Sequence, residues 1–257
     1  ATARPEKTVI LIHGFPFNKN MWRTQLENLD DNTTGIAIDV RGHGNSTRGH
    51  GFFSIDVFAK DLRTFIDKLG LEKVVLCGAS MGGYIALRAY QLFPEKIEGL
   101  LLAGTHSKAD SDKGKQKRFD SIQAILKHGR RPFAIGFIEN LFAQDSIANN
   151  PEAVELIKSS IRRNSINTIC ATLLALAART DTSELLPTIQ VPTLLLRGAQ
   201  DKITLAEDMA LLENLIPGAT YHEIPNCAHL PNLENPQEFN RLLNQLLIQV
   251  GGLSDIA

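Results

Sequence analysis

KVVLCGASMGGYIALRAYQLF, residues Lys73 to Phe93, changes period part-way along, and that change decides the fold. Lys73 to Gly78 is a short apolar run without polar alternation, which is how a strand buried on both faces reads. Ser80 to Phe93 has helical spacing instead. Small residues at Gly78 and Gly82 permit a strained turn between the two parts. Such a turn lifts the Ser80 hydroxyl above the sheet and aims the N–H groups of the helix N-terminus at a developing anion. At the usual protein-wide frequencies of Gly and Ser, about 7% each, a bare GxSxG pattern arises by chance in on the order of one chain in ten of this length. The strand before and the helix after are what give it meaning. The alternative is a Gly-rich turn with an incidental serine.

Outward from this turn the same two periods alternate. Thr8 to Ile12, Gly35 to Val40, Ile97 to Gly104 and Thr193 to Arg197 are further buried-strand runs, with a final strand at Tyr221 to Ile224. Asn20 to Leu29 and Ser54 to Leu69 carry helical stripes, the second opening on a Ser N-cap and closing at Gly70. Two more helices, Leu205 to Leu215 and Pro236 to Val250, flank the last strand. Strands alternating with helices of this length predict βαβ crossovers, hence an α/β domain with a mostly parallel sheet flanked by helices. The alternation stops between His106 and Leu186. These 81 residues hold no good strand and four helix-like segments, Lys115 to Lys127, Pro132 to Phe142, Pro151 to Arg163 and Ile166 to Ala178. The predicted organisation is a core of residues 1–105 and 187–257 with a helical cap, 106–186, inserted over the ligand crevice and hinged near His106 and Leu186.

Composition narrows the function. The 257 residues carry 27 Lys+Arg against 28 Asp+Glu, a formal net charge of −1, so no global positive field attracts phosphate backbones or anionic lipid. Hydrophobic content of 43% suffices for one core without disulfides or metals. Three cysteines, Cys77, Cys170 and Cys227, are too few for a disulfide framework and fit a reducing compartment. No apolar run reaches membrane-spanning or signal-peptide length. The expectation is a soluble cytoplasmic protein that binds neither nucleic acid nor membrane; its oligomeric state is left open. From Lys108 to Arg131, eight Lys/Arg face three Asp, which reads as a solvated helix face. Cys227 lacks metal-ligand spacing, so no zinc site and no other cofactor is expected.

A serine hydroxyl becomes a useful nucleophile only beside an imidazole that can take its proton. His229, shortly after the last strand, is the candidate base, and Asp201, just beyond Thr193 to Arg197, is the candidate acid that fixes its tautomer. Asp201 also suits an N-cap for the helix near Leu205, and His229 an exposed loop. His13-Gly14-Phe15-Pro16 follows the first strand, where a Gly-permitted turn can direct a backbone N–H into the crevice. The oxyanion donors would be the N–H groups of Phe15 and Met81. His13 itself reads better as a brace for the turn than as a catalyst.

Taken together, His13-Gly14-Phe15, Asp39-Val40-Arg41-Gly42-His43-Gly44-Asn45-Ser46, Gly78-Ala79-Ser80-Met81-Gly82-Gly83, Gly198-Ala199-Gln200-Asp201 and Cys227-Ala228-His229 resemble the α/β-hydrolase superfamily from about Thr8 to Val250. Within it the chain is similar to the small esterase, enol-lactonase and cofactor-free perhydrolase-like branch with a helical cap. The resemblance implies a serine hydrolase acting on small carboxylic esters or lactones, with Ser80 as nucleophile, His229 as base, Asp201 as orienting acid and Phe15 and Met81 at the oxyanion hole. The Asp39 to Ser46 loop is usually structural in the family and is given no catalytic role.

The sequence departs from the family in having only seven residues before Thr8, too few for the antiparallel strand pair with which members usually begin; that pair is expected to be missing. Ser rather than Asp at position 80 disfavours dehalogenase and epoxide-hydrolase chemistry. Perhydrolysis and C–C bond hydrolysis share the same triad, although Phe15-Pro16-Phe17 does not supply the Gly-rich segment frequent in C–C hydrolases. A triad-retaining small-molecule receptor is the alternative from another class, separable from an enzyme by turnover. Trp22, Phe17 and Phe142 are candidates to line an acyl pocket, with core or lid packing as the alternative for each.

Overall fold

The computed structural model describes residues 7–254. Six strands form one parallel sheet: β1 (Lys7–Ile12), β2 (Thr33–Ile38), β3 (Val74–Ala79), β4 (Ile97–Ala103), β5 (Thr193–Gly198) and β6 (Thr220–Ile224). Their spatial order is β2-β1-β3-β4-β5-β6, so the chain starts centrally, steps out to β2, then crosses back over β1 to β3. That reversal puts the turns leaving β1 and β3 side by side, with Ile12 in register with Gly78. Ligand crevices of parallel sheets open at such a point. The β1, β3 and β4 runs are almost wholly buried, which is why they lack polar alternation.

Helices α1 (Arg23–Leu26), α2 (Ile55–Lys68) and α3 (Met81–Leu92) make the first crossovers. Right-handed connection places α2 and α3, which lead the chain one way, on one face, and α1, which leads it the other way, on the opposite face. Ser54 caps α2 by accepting the Val57 N–H at 3.1 Å, and Gly70 follows the helix at φ +65°. The stretch expected as one helix from Asn20 instead forms a 3-10 turn, Lys19–Trp22, running into the single turn of α1. Asn18 caps that turn through the Asn20 N–H, and Met21 and Trp22 are buried by it.

Between β4 and β5 lie α4 (Asp112–His128), α5 (Arg130–Leu141), α6 (Gln144–Asn149), α7 (Pro151–Arg163) and α8 (Ile166–Ala177). The four expected helices correspond to α4, α5, α7 and α8. The additional α6 is a six-residue element with no buried stripe to announce it. The segment leaves and re-enters the core through one narrow stem. The Thr182 N–H and hydroxyl both donate to Ser107 O, at 2.9 and 3.1 Å, and the Ser107 and Ser183 hydroxyls pair at 2.8 Å. Arg179 adds bonds to Lys108 O (3.1 Å) and Asp110 Oδ1 (2.5 Å), with its guanidinium 4.4 Å from the centre of the Tyr84 ring. The chain ends with α9 (Ala206–Leu215), the short α10 (Pro231–Glu234) and α11 (Pro236–Ser254), which packs against β4 and α1. No helix among the described residues is long and apolar enough to cross a membrane.

Candidate active site

Ser80 is where the strand period turns into the helix period, and its backbone shows the strain: φ +53°, ψ −113°. A non-glycine residue holds such a conformation only where its surroundings impose it. Here the constraint is close approach. A Cβ on Gly82 would stand 2.1 Å from Ile12 O, and one on Gly78 would stand 2.4 Å from Gly82 O. Both obstacles are backbone, so only glycine lets α3 start this close to β1 and β3. The Ser80 N–H donates to Ala103 O (2.8 Å), and the Thr105 hydroxyl to Ser80 O (2.9 Å), which fixes the turn against the end of β4. Met81 is the first residue of α3, so its N–H belongs to the group that has no intrahelical acceptor.

The turn after β1 reaches the same place. A Cβ on Gly14 would lie 3.2 Å from Ser80 Cβ, and the turn closes with the Phe17 N–H on Gly14 O at 2.9 Å. His13 braces it from behind. Its Nε2 accepts the Val40 N–H (3.0 Å), so the proton sits on Nδ1 and is donated to Gly14 O (2.8 Å). The His43 ring lies 5.2 Å away, centre to centre, and both imidazoles are fully buried. Burial holds His13 down to about 4, against a partial upward pull from Gly14 O and Asp39; burial, reinforced by His13, holds His43 down to about 3. Both are neutral at physiological pH.

Asp201 and His229 meet at the ends of β5 and β6. His229 Nδ1 lies 2.8 Å from Asp201 Oδ2, and since the carboxylate can only accept, Nδ1 carries the proton and Nε2 is left with its lone pair. Asp201 Oδ1 accepts the N–H groups of Ile203 (2.8 Å) and Thr204 (3.1 Å). Burial raises the Asp201 pKa, but the His229 charge and hydrogen bond and the two amides outweigh it, and the net position is below the usual value. The cap of α9 is Leu205, not Asp201. Asp39 accepts instead from the N–H groups of Lys19 (2.8 Å) and Asn45 (2.9 Å), bracing two loops. Gly104, next after the Ala103 that holds Ser80, sits against the pair: a Cβ there would be 3.2 Å from His229 Nδ1 and 3.3 Å from Asp201 Oδ2. Three strand ends thus bring Ser80, Asp201 and His229 to one rim of the sheet.

The three aromatic pocket candidates are placed differently. Trp22 is completely buried against Phe239 of α11, ring centres 5.9 Å apart, which is core packing. Phe142 is buried at the C-terminal cap of α5. Phe17 is buried but faces Phe137 of α5 at 6.4 Å. The half-buried aromatics at this rim are Phe133 and Phe137, one helical turn apart, stacked at 5.2 Å and each within 6.4 Å of Phe15. Their i, i+4 spacing on α5 is visible in the sequence, but which element they face is not. Asn164, between α7 and α8, stands in no motif of the sequence; its amide donates to Pro16 O (2.8 Å) and its oxygen accepts the Gly44 N–H (3.2 Å). A groove of about 560 Å³ lies elsewhere, along β2 and α2, and the charges lining it are paired, Arg41 with Asp61 and Lys19 with Asp39. Among the described residues no group of three or more His, Cys, Asp or Glu is arranged to hold a metal ion.

Known proteins share this arrangement of elements. An esterase from Thermogutta terrifontis superimposes with a TM-score of 0.91 at 33% identity, covering 95% of this chain and 90% of that one. 3-Oxoadipate enol-lactonase 2 of Acinetobacter baylyi is 30% identical over 230 residues, 90% of this chain and 84% of the relative. A putative non-heme chloroperoxidase of Synechocystis is 30% identical over 249 residues, 93% and 90% of the two chains. The profile of the alpha/beta hydrolase fold family matches residues 7–236, and the chain belongs to that family.

Proposed function

We propose that the protein is a cytoplasmic serine hydrolase that cleaves small carboxylic esters or lactones through an acyl-enzyme, without a cofactor. The observation that carries this reading is the buried His229–Asp201 pair, 2.8 Å apart, beside the strained Ser80 turn. Ser80 Oγ attacks the carbonyl while His229 Nε2 takes its proton; Asp201 holds the imidazole in the tautomer that leaves Nε2 free and steadies the imidazolium. The Phe15 and Met81 N–H groups stabilise the tetrahedral oxyanion, each worth about 10²–10³ in rate. His229 then protonates the leaving alcohol, and water repeats the sequence to release the acid. Residues 106–186 act as a cap, with Phe133 and Phe137 presented toward Phe15 as the apolar wall for the acyl group. The esterase and enol-lactonase relatives support this substrate class.

The test is a fluorophosphonate probe combined with a panel of p-nitrophenyl esters of graded length and lactones, with and without peroxide. Labelling at Ser80, lost in Ser80→Ala, together with multiple turnovers is the expected result. An adduct mapped to another serine overturns the assignment. Peroxide-dependent products point to perhydrolysis, and single-turnover behaviour to a receptor.

A further inference from the structure

The loop that carries His229 starts at Asn226, which holds a left-handed φ of +60°, and its core side is packed tightly. Cys227 O accepts the Gln200 N–H at 2.8 Å, and a Cβ on Gly198 would stand 2.0 Å from Ala228 O. Its other side is tied by one carboxylate. Glu234, at the end of α10, folds back so that Oε1 accepts the N–H groups of Ala228 (2.8 Å) and Leu230 (3.4 Å), the residues on either side of His229. Its second oxygen, Oε2, accepts the N–H of Ala143 in the cap at 2.8 Å. Between these bonds the His229 N–H donates to Leu141 O, the last residue of α5, at 3.0 Å. Asn150, which caps α7, donates from its side chain to Leu233 O at 3.2 Å.

These contacts alternate between the base loop and the α5–α6 junction. Backbone amides on a carboxylate form charge-assisted hydrogen bonds, stronger than those between neutral groups. We propose that Glu234 is a positioning residue that bridges the loop of His229 to the α5–α6 junction, so that the base is held in its working position only while the cap is seated. The same helix α5 carries Phe133 and Phe137, so the wall for the acyl group and the base move as one body. The proposal rests on His229 as the base, but its mechanical half can be read without any substrate.

The test combines amide hydrogen exchange on the whole chain with ester kinetics. In Glu234→Ala, exchange should quicken together in residues 226–231 and 141–144. The kcat for p-nitrophenyl acetate should fall about 10–10²-fold, the scale of a small misplacement of a catalytic group, with KM within about twofold. Glu234→Gln, which keeps the length and one acceptor oxygen, should recover part of the loss. Ala143→Pro approaches from the cap side and covers the case in which Glu234→Ala does not fold. Ala143 already has φ −62° and follows an extended Phe142, so proline fits the backbone, removes the N–H and crowds Oε2. It should quicken exchange at Ala228 and Leu230. Exchange confined to one of the two segments in these variants overturns the proposal, as does an unchanged kcat per folded molecule. Coupled exchange in the variants of a protein whose wild type hydrolyses no ester would refute the catalytic reading and leave the bridge intact.

Discussion

His229 Nδ1 stands 2.8 Å from Asp201 Oδ2 with both side chains shut off from solvent, while Asp201 Oδ1 is separately held by Ile203 and Thr204. The two oxygens therefore do different work. In Asp201→Asn the amide oxygen keeps the two backbone bonds and the NH₂ group faces the imidazole, which must then present Nδ1 as acceptor and carry its proton on Nε2. The expected outcome is a kcat lower by on the order of 10⁴ with a near-normal unfolding midpoint. Ester kinetics beside urea denaturation decide it; near-normal turnover would show that another group orients the base.

Glycines at different places should respond oppositely to one added methyl. Gly82→Ala drives a Cβ into Ile12 O, which is backbone and cannot step aside, and should cost about 3 kcal/mol or more. Gly136, exposed on α5 with nothing near the added atom, should become more stable by up to ~1 kcal/mol as alanine, through helix propensity. Denaturant midpoints of the two variants measure the contrast, and similar shifts would contradict it.

Acid should loosen the turn after β1. His13 and His43 are held near 4 and 3 in the fold against 6.5 when exposed, so the unfolded chain binds more protons over that interval. Stability from these groups is complete above about pH 6.5 and falls as pH drops toward 4 and 3. Urea midpoints between pH 7.5 and 4.5 should fall in the wild type and fall less in His43→Gln. Equal slopes for both proteins would remove the buried imidazole from the explanation.

Acyl-length preference should follow α5. Phe137→Ala should shift the ratio of kcat/KM between long and short esters by roughly 1–3 kcal/mol without changing where a fluorophosphonate attaches. Trp22→Phe, in the core beside Phe239, should alter stability and leave the chain-length profile alone. A profile that moves with Trp22 and not with Phe137 would relocate the acyl wall.

The central strands β1, β3, β4 and β5 were legible because burial on both faces writes an unbroken apolar run, and the motifs because each sits at a strand end where the chain must turn; the edge strands β2 and β6 are only partly buried, and their runs are correspondingly weaker. Ser54 and Gly70 marked α2 through local chemistry alone. What stayed hidden depends on contacts between distant segments. Phe142 and Phe137 look alike in sequence, and only where α5 stops separates them: Phe137 on the helix faces Phe15, while Phe142, in the extended cap, is buried. Trp22 finds Phe239 across more than two hundred residues. Short α10 has no periodicity to announce it, so nothing pointed to Glu234.

The stem at Ser107 and Thr182 has an evolutionary consequence. Because both ends of the inserted segment leave the sheet hydrogen-bonded to one another, the sheet is closed across the insertion at the stem, while residues such as Asn164 and Ala143 tie the segment back to the core. Closure entropy grows only slowly with length, about 0.6 kcal/mol per doubling, so insertions in the segment's exposed turns should add little, whereas exchanging the segment must also replace its packing on the core. A transplanted segment would have to match the stem and also offer a backbone N–H to Glu234. Chimaeras that keep the stem and the packing but lack that N–H should fold but hydrolyse poorly.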